Sequence, residues 1–175
     1  MVMQGEVVIA RLAADEVGEY LSELVGALRE AVEDGASVGF LPPLGVDEAR
    51  GYWGRGDRGA AGGGRGARGA DGAVLGTVQL DLAMRANGRH RAEVSRLIVR
   101  RAAQRRGVAR ALMAALEDEA RRIGRTTLVL DTRQGDPSER LYQSLGWQVV
   151  GAIPQYARSA DGSLAGTVLY YKLLP

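Results

Sequence analysis

Hydrophobic and polar positions alternate along this chain with two periods, and the points where the period changes divide it into elements. Val17, Tyr20, Leu21, Leu24, Val25, Leu28 and Val32 recur at three- and four-residue steps. Asp15 and Glu16 precede them and Gly35 follows, which predicts a long amphipathic helix with an acidic start and a glycine stop. The same spacing joins Val108, Leu112, Met113, Leu116, Ala120 and Ile123, closed by Gly124. Between these helices the period falls to two: Val74, Gly76, Val78, Leu80 and Leu82 predict a strand. Asn87-Gly88 then predicts a tight hairpin into a second strand over residues 91–99, because both turn residues tolerate positive φ. Short apolar runs at residues 7–10 and 127–130, the latter ending in Asp131-Thr132, suit two more strands. Asp136 as an N-cap before Pro137 predicts a helix running to about Leu145, with Gly146 closing it. Residues 147–151 and 167–173 read as the last two strands, joined by a loop over 152–166.

This order of elements fits an α/β (α+β) domain spanning residues 1–175, with a mixed sheet covered by helices. A purely parallel, doubly wound sheet would not contain the Asn-Gly hairpin. One stretch stands apart. Residues 54–72 contain only Gly, Ala, Arg and Asp, with nine glycines in nineteen residues. So little apolar area does not offset the ordering entropy, and a flexible insertion is expected. The stretch lacks the interleaved aromatics on which nucleic-acid bases stack.

Composition narrows the chemistry. A net charge of +2 gives no case for a nucleic-acid partner, despite 22 arginines against the single Lys172. The absence of cysteine removes disulfides, thiolate nucleophiles and thiolate metal sites, and the sole histidine, His90, argues against a His-based triad or metal centre. No metal is expected. No apolar stretch of signal or membrane length is present, so a cytoplasmic location without membrane contact is the expectation.

The candidate chemistry centres on Gln104-Arg105-Arg106-Gly107-Val108-Ala109-Arg110, which follows a strand and opens a helix. The first turn of a helix carries amides without intrahelical acceptors and the positive end of the helix dipole, so it suits a phosphate. Gly107 lets the backbone approach an anion closely, and the neighbouring arginines add positive charge. The segment contains neither the glycine triplet of dinucleotide sites nor the Gly-Lys-Ser/Thr of phosphate loops in nucleotidases.

The pattern Gln104-x-x-Gly107-x-Ala109 resembles the acyl-CoA signature of the GCN5-related N-acetyltransferases (GNAT). Two further segments agree in order: Ala92-Glu93-Val94-Ser95-Arg96-Leu97-Ile98-Val99 before the loop, and Leu141-Tyr142-Gln143-Ser144-Leu145-Gly146-Trp147 after it. Within the family the likeness is closest to the tabtoxin-resistance acetyltransferase type, through Leu130-Asp131-Thr132, Ile153-Pro154-x-Tyr156, Asp161-Gly162 and Tyr170-x-Lys172. Many members carry Asn where Gly135 stands, seven residues before Tyr142.

The resemblance implies a mostly antiparallel sheet of six to seven strands flanked by about four helices, and acetyl-CoA as donor. It implies that the loop amides of residues 105–110 hold the pyrophosphate, with Leu97, Ile98, Val99 and Gln104 completing the cofactor site. A main-chain N–H near Ile98 or Val99 would polarise the thioester carbonyl. An alkylamine with a pKa near 10.4 is only about 0.04% neutral at pH 7, so a base is useful. Glu93 and Asp131 are the candidate bases, the alternative being salt bridges to the abundant arginines. Tyr142 is the candidate acid for the leaving thiolate, or else a core aromatic. Phe40, Trp53, Tyr156 and Arg158 are nominated for the acceptor, with an apolar plug over the core as the other reading of the two aromatics Phe40 and Trp53.

The expected activity is acetylation of a small-molecule amine, an antibiotic or amino-acid-like toxin, by direct transfer in a ternary complex. A non-catalytic acyl-CoA-binding module and an enzyme acting on protein N-termini are the alternatives. A monomer or a homodimer is expected.

Overall fold

The period-three-to-four stripes become helices because each buries one face, and the period-two runs become strands sandwiched between them. The computed structural model describes residues 7–12, 17–54, 64–69 and 72–175. Among these, seven strands form one sheet: β1 (Val8–Leu12), β2 (Gly64–Arg68), β3 (Val74–Leu82), β4 (Arg91–Val99), β5 (Thr127–Arg133), β6 (Gln148–Arg158) and β7 (Leu164–Leu173). Their order is β1-β2-β3-β4-β5-β7-β6, and only β4 and β5 are parallel.

Four α-helices among the described residues cover the two faces: α1 (Val17–Glu33), α2 (Val46–Gly54), α3 (Val108–Arg122) and α4 (Ser138–Ser144). The stripe of α3, with Leu112, Met113 and Leu116 fully buried, packs on Val78, Leu80, Ala92, Val94, Leu128 and Leu130, and Tyr142 of α4 joins the same cluster. On the other face Leu24, Leu28 and Val32 of α1 and Trp53 of α2 gather around Val74 and Ile98. The mixed, mostly antiparallel sheet and four helices agree with the fold class read from the sequence.

Four local expectations are corrected. Residues 64–68 of the glycine-rich stretch are a strand, not a flexible insertion, paired to β1 and β3. Backbone ladder bonds need no side-chain area, and the small side chain of Ala67, 0% exposed, lets it join the α3 cluster. Residues 55–63 and 70–71 lie outside the described residues, as do Asp15 and Glu16. The Asn87-Gly88 turn is a single 3-10 turn over Ala86–Gly88 rather than a two-residue hairpin, with Gly88 N–H donating to Arg85 O. Helix α4 is capped at Pro137, without a side-chain cap, one residue later than Asp136. Finally, the predicted loop 152–166 is mostly a long hairpin of β6 and β7. Pro154 and the polar residues around it suggested a loop, but β6 is an edge strand, where proline and two exposed faces are tolerated.

The sheet end is pinned to α3 by one cluster. Lys172 Nζ of β7 donates to Glu117 Oε1 and Oε2 at 2.8 and 2.7 Å and to Leu145 O at 2.7 Å, while Trp147 Nε1 donates to Glu117 Oε1 at 3.2 Å. Removing one member strands a buried charge. Lys172→Met is expected to lower unfolding stability by about 3 kcal/mol, read as a shift in urea midpoint by the fluorescence of Trp147.

Candidate active site

The helix start forms as the sequence suggests, with a sharper backbone. Arg105 (φ 60°) and Gly107 (φ 81°) both take left-handed conformations, and Gly107 caps α3. Left-handed residues between right-handed ones turn successive amides toward one side and make an anion-binding concavity. Ala111 N–H bonds Gly107 O at 3.0 Å, so the amides before it belong to the turn that has no i−4 carbonyl. A Cβ at Gly107 would meet nothing within 4 Å, which leaves the concavity open.

Beside this loop the parallel ladder of β4 and β5 stops. Its pairs are Arg91 with Thr127, Ala92 with Leu128 and Glu93 with Val129, yet β4 continues to Val99 and β5 to Arg133. The two strands therefore diverge. A bulge in β4, where Arg96 (φ 57°) and Leu97 add a residue opposite Val78, bends the strand at the same level. Gln104 Nε2 donates to Val99 O at 3.3 Å at the far end.

The gap opens into a groove of about 1080 Å³. Its lining contains every residue nominated for the cofactor except Arg106: Leu97, Ile98, Val99, Gln104, Arg105, Gly107, Val108, Ala109 and Arg110. The sequence reading missed its opposite walls. Glu30 of α1 and Asp34 just past its end line it and hold the loop, since Arg101 donates through its backbone N–H to Glu30 and through its guanidinium to Asp34. Gln134 to Ser138 and Leu141 form the other wall. Gly135 is left-handed (φ 85°), a conformation that Gly and Asn share, which accounts for glycine at a place where Asn is common.

At the root of the gap three carboxylates share one face of the sheet. Asp81 pairs with Glu93 across β3 and β4, Glu93 with Val129 across β4 and β5, and Asp131 lies two residues beyond Val129. Asp81 Oδ2 accepts from Ser95 Oγ at 2.5 Å, and Asp131 Oδ2 accepts from Thr167 Oγ1 at 2.7 Å. Although solvent reaches Glu93, partial burial first, and then the charges of Asp81 and Asp131, push its carboxyl above the usual glutamate value. Arg96 opposes this. Its guanidinium lies 4.6 Å from the Tyr52 ring centre, bonds Tyr52 Oη and Gln79 Oε1, and stands 3.9 Å from Asp81.

The remaining nominations divide. Tyr142 is only 6% exposed, against Trp147 and Tyr170 at ring distances of 6.2 and 5.8 Å. Burial, followed by the charges of Asp136 and Asp131, holds its phenol well above the ordinary value; Leu141 beside it lines the groove, whereas Tyr142 itself sits in the α3 core cluster and does not. Phe40 and Arg158 line a second, smaller cavity of about 240 Å³. Trp53 does not. It is 7% exposed in the α1–α2 core, because its ring faces inward from a helix whose buried stripe it completes, so the plug reading of this residue is the correct one. Tyr156 is 55% exposed on the edge strand and lines neither cavity.

A donor with a pyrophosphate at one end and a reactive thioester at the other fits a groove that runs from an anion-binding helix start to the β4–β5 gap; Asp81, Glu93 and Asp131 lie on the sheet beside it and are not among its lining residues. That places the fold among the CoA-dependent acyltransferases. Residues 46–147 match the model of the Acetyltransferase (GNAT) family, and the chain belongs to that family. Acetyl-CoA is its donor and acyl transfer its reaction class. Similar solved structures include a GCN5-related N-acetyltransferase from Kribbella flavida, with TM-score 0.78, 26% identity, and coverage of 96% of this chain and 98% of that one. An N-acetyltransferase from Staphylococcus aureus Mu50 superposes with TM-score 0.81 at 19% identity, over 97% and 99% of the two chains. A phosphinothricin acetyltransferase from Sinorhizobium meliloti, solved in complex with AcCoA, gives TM-score 0.79 at 21% identity, over 96% and 88%.

The acidic face has a measurable cost. A folded-state pKa above the unfolded one means that ionised Glu93 opposes folding; the penalty is absent below the unfolded value, about pH 4.3, and grows as pH rises through the folded one. Glu93→Gln is therefore expected to raise Tm at pH 7 and to leave it nearly unchanged near pH 4, by differential scanning calorimetry. At the loop, Gly107→Ala places a Cβ on a left-handed residue (φ 81°) and is expected to cost about 1 kcal/mol of stability, read by urea unfolding, with weaker acetyl-CoA binding by isothermal titration calorimetry.

Proposed function

We propose that the chain acetylates the amine of a small molecule by direct transfer from acetyl-CoA in a ternary complex. The observation that carries this reading is the Asp81, Glu93 and Asp131 face at the root of the β4–β5 gap. Carboxylates there attract an ammonium group, and a glutamate whose pKa is raised is a stronger base than an ordinary one. Glu93 takes the ammonium proton, directly or through a water. Asp131, oriented by Thr167, stabilises the cation before deprotonation.

The amine nitrogen then attacks the thioester carbonyl carbon. A C–N bond forms, the C–S bond breaks, and the oxygen charge is met by a β4 main-chain N–H near Ile98 or Val99, on the stretch that β5 leaves unpaired. Tyr142, next to Leu141 of the groove wall, gives its proton to the departing thiolate and regains one from the acetylated nitrogen, so that the phenol, which burial holds protonated, is restored. Loop amides of residues 105–110, with Arg105 and Arg110, hold the pyrophosphate. Phe40 and Arg158 enclose the acceptor.

An antibiotic or amino-acid-like toxin is the acceptor we favour. The tail motifs of the tabtoxin-resistance type and the phosphinothricin acetyltransferase among the structural neighbours support a small acceptor over a protein N-terminus.

Free-CoA release across a panel of small amines tests the reading. Turnover on at least one amine is expected, reduced roughly 10²- to 10⁴-fold by Glu93→Gln and by Tyr142→Phe, with acetyl-CoA affinity retained. Undiminished turnover in both variants would remove the assigned roles. Tight acetyl-CoA binding without turnover on any amine would instead mark a binding module.

A further inference from the structure

We infer that the acceptor carries an anionic group, a carboxylate or phosphonate, as well as its amine, and that Arg133 is the residue that anchors it. This rests on the acetyltransferase reading and names the substrate class of the same site.

Arg133 ends β5 and lines both the donor groove and the 240 Å³ cavity, so its guanidinium stands at the wall between them. Its existing partners are neutral: one Nη donates to Gly35 O at 3.1 Å and the other to Ser159 Oγ at 2.7 Å, while its buried Nε has no partner. Arg158, the other arginine of this cavity, donates to Gly162 O at 2.9 Å. No carboxylate lies within ion-pair distance of either guanidinium among the described residues, and no acidic side chain lines the cavity. The remaining wall is apolar, built from Val32, Phe40, Leu41 and Ala157. The charge of Arg133 reaches the exposed Asp161, but that carboxylate spends its hydrogen bonds on Ser163. A partly buried guanidinium with no carboxylate in direct contact, on the wall of a half-open cavity, is available to an anion, and its fork matches the oxygens of a carboxylate or phosphonate.

The register supplies the second half of the argument. Alternate residues of β5 share a face, so Arg133 follows Asp131 on the face of the acidic cluster, about 7 Å along the strand. Along this face β5 therefore carries a carboxylate at Asp131 and a guanidinium at Arg133; Glu30, Asp34 and Asp136 line the larger groove, whereas the smaller cavity has arginines and no acidic residue. A zwitterion aligns with that order of charges, its ammonium at Glu93 and Asp131 and its acid at Arg133 and Arg158. A simple diamine would set a second cation against the two arginines.

Acetyl transfer is measured to matched pairs of small aliphatic amines: amino acids against their carboxamides, and aminoalkylphosphonates against the corresponding amino alcohols. The readout is the ratio of kcat/KM within each pair, compared between native and variant protein, which cancels intrinsic amine reactivity. The ratio is expected to fall about 10- to 100-fold in Arg133→Met, mainly through KM, and less in Arg133→Lys. Arg158→Gln, which leaves the Gly35 and Ser159 contacts intact, lowers it too and covers the case in which Arg133→Met folds poorly. The pair that responds more strongly identifies the anion. A ratio unchanged in both Arg133→Lys and Arg158→Gln, or a native enzyme that turns over only amines without an acid group, overturns the inference and leaves the acetyltransferase reading standing. No transfer to any amine removes both.

Discussion

Two parallel strands that pair over three residues and then part give up their ladder bonds in the middle of a sheet, and side chains take over some of them, Gln104 bonding Val99 O and Thr77 bonding Arg96 O. Unpaired backbone groups are costly when buried, so the opening between β4 and β5 must be held apart by something other than the ladder. Much of the rest of the structure serves this. The bulge at Arg96 bends β4 away, and α1 and α2 bury Ile98 beyond the point of divergence. On the β5 side, β7 pairs along the full length from Thr127 to Arg133, so that β5 stays straight while β4 leaves it.

The groove of about 1080 Å³ is the space that results, and its walls are tied across the gap by polar contacts rather than by sheet bonds. Glu30 and Asp34 at the end of α1 grip Arg101 ahead of the loop that opens α3, and Arg133 reaches Gly35 from the opposite side. The C-terminal turn of α1 thus touches both lips of the opening. A groove built this way has its shape before a ligand arrives, which lowers the ordering cost of binding.

Charge follows the same geometry. Partial burial, and then the charges of Asp81 and Asp131 on the same face, raise the pKa of Glu93, while Ser95, Thr167 and Arg96 satisfy its two acidic neighbours. Local destabilisation of this kind is the usual accompaniment of a functional site. The counterweight is the compact cluster of Lys172, Glu117 and Trp147 at the other end of β7, where opposite charges are fully engaged.

The sequence by itself determined the elements whose signals are local. The stripes of α1 and α3, the period-two runs of β3 and β4, and the Gln104-to-Ala109 helix start all depend on residues close in the chain, and of the residues nominated there for a cofactor all but Arg106 line one groove. What depends on distant neighbours was not legible. Gly64–Arg68 is a strand only because β1 and β3 flank it, and β6 tolerates Pro154 only because it is an edge. Trp53 is core because α2 turns it against α1, and Arg133 is a wall of two cavities because β5 lies between β4 and β7. A strand read to Arg133 instead of stopping near Thr132 would have put that arginine on the face of Asp131 by period two alone. The divergence of β4 from β5 had no sequence signal, since a missing hydrogen bond between strands is a property of their pairing and not of either strand.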